Sequence, residues 1–95
     1  MVDANELAKE LQWTFQHLKH HLGEFEINVY NDSIVFQVEH EEGYEDFLVD
    51  LTDDVIVEMG YSPVDDFDSI EVTKVRGSKY DGFARFEVSI LFNRY

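Results

Sequence analysis

The apolar residues of this 95-residue chain change their spacing at Gly23, and that change constrains the fold more than any other feature. Before it, Leu7, Leu11, Phe15, Leu18 and Leu22 recur three or four positions apart, which draws one apolar stripe along a helix. Asp3 and Glu6 stand at capping-box spacing ahead of the stripe, and Gly23 suits the residue just past a helix end. These signals predict a helix over residues 4–22. After Gly23 the period falls to two. Phe25, Ile27 and Val29 alternate with Glu24, Glu26 and Asn28, and Ile34, Phe36 and Val38 with Val35, Gln37 and Glu39, up to a turn at Glu42-Gly43. Phe47, Val49 and Leu51 read as a further strand, with Asp46 and Asp50 on its other face. Residues 55–58 fit either a short strand or a helical turn. Residues 60–66 form a loop around the single proline, Ile70, Val72 and Val75 mark another strand, and residues 77–82 a turn. Phe86, Val88, Ile90 and Phe92 then share one face of a last strand.

The predicted architecture is α+β in two layers, in one domain spanning 1–95. One N-terminal helix packs on a single antiparallel sheet of four to six strands, the sheet occupying about residues 24–95. A chain of this length buries only about 60–65% of its unfolded surface. Its 44% apolar content, with eight Phe, still supports a packed core and argues against an acidic disordered tail. The absence of cysteine excludes disulfides and thiolate metal sites. The first residues lack the basic start and apolar run of a signal peptide, and no apolar stretch nears the roughly 20 residues that cross a bilayer. The expectation is a cytoplasmic protein without membrane association.

Charge is the second constraint. Twenty-one acids face seven Lys and Arg, for a net charge of −14, whereas solubility is served by about 2–8. The signs are also segregated. No Lys or Arg falls between Lys19 and Lys74, and Lys74, Arg76, Lys79, Arg85 and Arg94 follow that gap. The candidate partner-binding residues are therefore Glu39, Glu41, Glu42, Glu45, Asp46, Asp50, Asp53, Asp54, Asp65, Asp66 and Asp68. Such a surface attracts a cationic protein. Carboxylates on alternate strand residues, about 6.6 Å apart, could approximate a row of phosphates.

Trp13 lies opposite the leucine stripe on a helical projection, which makes it a candidate interface hot spot. His17 and His21 have the i,i+4 spacing of a metal pair, with His20 beside them. A helix C-terminus also favours His without any metal, and no zinc-protease pattern accompanies them. Residues 66–71 resemble a calcium loop faintly but lack its glycine and its closing glutamate. Neither a metal nor a cofactor is expected. No nucleophile elbow, P-loop or dinucleotide fingerprint is present, so no enzymatic activity is expected.

In size, charge and composition the chain resembles the acidic phage inhibitors of the anti-CRISPR and anti-restriction type. That resemblance implies an inhibitor that engages a basic, nucleic-acid-handling nuclease or defence effector, its carboxylates mimicking phosphates, without touching nucleic acid itself. An immunity protein or antitoxin against a nuclease toxin calls for the same surface. A structural or adaptor domain with incidental acidity is the third reading. The protein is expected as a monomer or dimer.

Overall fold

In the computed structural model, residues 2–18 and 22–93 are described, 22–24 by their backbone. The order is α1 (Ala4–Gln16), β1 (Leu22–Val29), β2 (Ser33–Glu41), α2 (Glu45–Glu58), β3 (Phe67–Gly77) and β4 (Phe83–Phe92). The four strands form one antiparallel sheet in the order β1-β2-β4-β3. The expected class, a helical layer on an antiparallel sheet, is what the chain adopts, with two helices rather than one.

Helix α1 starts where its cap residues say it should. The Asp3 carboxylate accepts from the Glu6 N–H at 3.2 Å, satisfying one of the orphan donors of the first turn. The Asp3 N–H donates to the Tyr61 hydroxyl at 2.9 Å, which ties the helix start to the chain beyond α2. The helix is shorter than expected, because the chain leaves it at His17. Nδ1 of His17 reaches the Trp13 carbonyl at 2.7 Å, while the His17 N–H turns to the Phe15 carbonyl. A carbonyl only accepts, so Nδ1 carries the proton here. The side chain thus takes the acceptor that the next helical turn would use. Leu22 and Gly23 belong to β1 instead of the helix end, and Lys19, His20 and His21 lie outside the described residues.

The larger correction is α2. Residues 47–51, expected as a strand, are helical, and so is the ambiguous segment 55–58. The alternation of Phe47, Val49 and Leu51 was a coincidence within a helical period. The buried residues are Leu48, Thr52, Val55 and Ile56, four, three and one positions apart, so the core side of this segment repeats as a helix does. Thr52 fits that stripe because its hydroxyl donates back to the Leu48 carbonyl at 2.8 Å. Glu45 and Asp46 in the first turn favour the positive end of the helix. The far end closes as a Schellman motif: Gly60 N–H meets the Val57 carbonyl and Tyr61 N–H the Ile56 carbonyl. Gly60 has φ of +86°, which a residue with a side chain adopts only under strain.

Both helices cover the same face of the sheet, α1 over β1 and β2, α2 over β3 and β4. Leu7, Leu11 and Phe15 meet Ile34, Phe36 and Val38 of β2 and Phe86, Val88 and Ile90 of β4, with Leu48 and Ile56 completing the core. Ile70, Val72 and Phe92 pack at its margin as expected. Val75 does not: it is 48% exposed, because it follows Lys74, which pairs with inward Phe86, and so falls on the uncovered face.

Leu48→Ala is expected to cost about 2–5 kcal/mol as a core truncation, and Phe47→Ala well under half of that. Paired denaturant melts would read this contrast, which a strand over 47–51 with Phe47 inward would reverse.

A candidate protein-interaction face

The eleven candidate carboxylates do not form one surface. Glu39 lies on the open face of the sheet, with one oxygen 3.7 Å from the Arg85 guanidinium and the other accepting from Ser78 at 3.2 Å. Glu42, in the turn after β2, holds the Lys74 ammonium at 2.7 Å. Glu41 ends β2 half-buried. Asp65 and Asp66 organise their own loop: Asp66 accepts from the Ser62 N–H at 2.7 Å and Asp65 accepts from the Ser62 hydroxyl at 3.3 Å. The Asp65 carbonyl also accepts from the Asn93 side chain. Asp68 stands exposed at the start of β3. Lys74 and Arg85 therefore stand beside Glu42 and Glu39, and the loop engages Asp65 and Asp66.

What remains is α2. On a helical projection Asp46, Asp50, Asp53 and Asp54 all lie opposite the buried stripe. None of the four pairs with a cation among the described residues. Asp46 and Asp50, expected to share a strand face, are instead successive turns of one helical ridge, continued by Asp54. Like charges at these spacings cost a helix a few tenths of a kcal/mol each. Partial burial, then Asp50 and Asp54, push the Asp53 carboxyl above the ordinary aspartate range. Phe47 and Val57, 40% and 58% exposed, stand among these carboxylates.

Trp13 faces away from the sheet on α1 and is 62% exposed. Its indole stacks on the His17 imidazole with ring centroids 4.7 Å apart. The expected placement of Trp13 outside the core therefore holds. His17, read as half of a metal pair, is occupied as the stacking partner and helix terminator. Among the described residues no three His, Asp or Glu side chains gather as a metal-binding set. No helix of the described residues is long and apolar enough to cross a membrane.

The helical face was partly missed in the sequence because period two was read across it. Leu48, Thr52, Val55, Ile56 and Met59, followed by Gly60, carried the signal that could have found it.

No family model and no curated protein matches the chain. Solved structures that it resembles are H-NOX domains. An oxygen-binding H-NOX domain related to soluble guanylate cyclases, in its oxygen complex, is 21% identical with a TM-score of 0.49, over 95% of this chain and 47% of that one. A point mutant of T. tengcongensis H-NOX is 19% identical with a TM-score of 0.47, over 94% and 44%. A Cs H-NOX mutant carrying 4-cyano-L-phenylalanine gives 19%, 0.48, 94% and 44%. The chain thus spans less than half the length of each. These comparisons correct the expected inhibitor of anti-CRISPR, anti-restriction or immunity type: the proteins similar to this chain are H-NOX domains. The geometry removes the same idea's premise, since the strand row that was to copy phosphates is a helix and its acids are dispersed over both faces of the sheet.

Two measurements follow. Trp13 fluorescence is expected to be red-shifted and readily quenched by acrylamide in the free protein. Asp53 binds its proton more tightly folded than unfolded. Its stabilising contribution is therefore complete below an ordinary aspartate pKa of about 3.9 and lost as pH rises through the folded value. Asp53→Asn should raise the melting temperature at neutral pH and leave it unchanged near pH 3.

Proposed function

We propose that this chain is a non-catalytic protein-binding domain whose working surface is the outer side of its two helices. The partner is a protein presenting Lys and Arg around an apolar patch. The observation that carries this reading is the α2 ridge. Four aspartates stand side by side with no cation partner among the described residues, at a cost to the helix, in a molecule whose Glu39, Glu42, Asp65 and Asp66 are engaged. A partner's cations would relieve that repulsion. Phe47 and Val57 supply apolar contact among the charges, and Trp13 a rigid aromatic anchor of the type that dominates interface energetics.

The same ridge favours binding over catalysis. Three of the four ridge carboxyls, Asp46, Asp50 and Asp54, are exposed on the outside of the helix, whereas general acid–base work requires a partly desolvated group.

The test is affinity capture from the source cell, then titration of the captured protein against point variants. Asp50→Lys with Asp54→Lys should slow association by about tenfold or more and flatten its salt dependence. Trp13→Ala should act mainly on dissociation, at about 2 kcal/mol if it is a hot spot. A partner that binds both variants as it binds the parent chain, with no dependence on ionic strength, overturns the reading.

A further inference from the structure

The open face of the sheet carries a backbone irregularity with a chemical consequence. In a regular ladder continuing from the Lys74–Phe86 pair, Val75 would face Arg85 and Arg76 would face Ala84 on the inner side. The bulge inserts one residue, so that Arg76 pairs with Arg85 and Gly77 with Ala84. Two arginines are thereby placed directly opposite each other on the outer face, where paired residues have Cβ atoms about 4.5–5.5 Å apart and like charges destabilise. Bulges commonly re-aim a side chain next to a functional site. This one brings two like charges together.

Arg85 is held rigidly. Its residue is 8% exposed although it lies on the uncovered face. Its Nε donates to Gln37 Oε1 at 2.7 Å, and Gln37 Nε2 in turn donates to Glu87 Oε1 at 3.3 Å. Glu39, steadied by Ser78, stands 3.7 Å from a terminal nitrogen, beyond hydrogen-bonding distance, so it offsets charge without capturing the fork. Arg76 is exposed and has no ion pair with a described residue, in a chain with 21 acids and seven Lys and Arg.

We infer that Arg76 and Arg85 form an oxyanion site on the open face of the sheet, taking a phosphate or carboxylate group between their guanidinium forks. Arg85 is the preorganised half and Arg76 the accessible one. An oxyanion shared by two forks accepts charge-assisted bonds from both and removes the repulsion that the bulge creates. The surrounding Gln37, Glu39, Glu87 and Ser78 orient Arg85 as outer-shell partners orient a ligand-binding group. The site is separate from the helical face and independent of its function.

The test titrates the folded chain with inorganic phosphate and, separately, with acetate, following the arginine Nε–Hε NMR signals at constant ionic strength. Chloride serves as the control. Binding should shift the Arg76 and Arg85 signals together, and Arg76→Gln, a change at an exposed position, should abolish the shift of Arg85 while leaving the melting temperature near the parent value. A response to phosphate alone assigns a phosphoryl ligand, and a response to acetate as well assigns carboxylates too. If neither anion moves the two signals beyond the chloride control, or Arg76→Gln leaves the Arg85 response intact, there is no such site.

Discussion

The contact on which the structure depends is the seating of α1 on Phe36 of β2. Phe15 from the helix lies with its ring centroid 4.8 Å from that of Phe36, and Phe25 from β1 reaches the same ring at 5.6 Å. Phe36 pairs across the ladder with Val88 of β4, so one fully buried side chain joins the helix, the edge strand and the two central strands. Elements distant in sequence are fixed by it together, and aromatic pairs at these separations add to what their burial alone contributes.

Once the inner face of the sheet is covered by two helices, the placement of charge follows. Inner positions of β2 and β4 are apolar except for buried His40, and outer positions hold Glu39, Gln37, Arg85 and Glu87, which contact one another in a network. Arg85 and Lys74 meet Glu39 and Glu42 because β4 returns alongside β2, and β3 alongside β4. Helix α2 has no such neighbour on its solvent side. Topology thus decides which acids meet a cation: Glu39 and Glu42 do, whereas among the described residues the aspartates on the outside of α2 do not.

Two surfaces of opposite character result, and they lie on opposite sides of the sheet. The helical side offers carboxylates with scattered apolar and aromatic contacts, suited to a cationic protein. The open side offers a small, rigid cationic feature within an otherwise compensated face. In the proposed roles, the first surface would attract a partner at longer range and the second would recognise an oxyanion at short range, because salt screens exposed charges beyond about 8–10 Å whereas a held guanidinium acts at hydrogen-bonding distance.

Residue pattern alone determined the class of fold, the stripe of α1 with its Asp3 cap, the strands around Phe36 and Val88, and the outward position of Trp13. Each depends on local spacing or on a single capping residue, information that neighbours in sequence carry by themselves. Tertiary structure decided the rest. Residues 47–51 satisfy both a strand and a helix alternation, and only the space above β3 and β4, which takes Leu48, Thr52, Val55 and Ile56 on one side, selects the helix. The end of α1 at His17 depends on one ring taking the Trp13 carbonyl, a competition that apolar spacing does not encode. The pairing of Glu39 with Arg85, and of Arg76 with Arg85 across a bulge, joins residues that only the sheet register brings together, since a one-residue change of register sends a side chain to the other face.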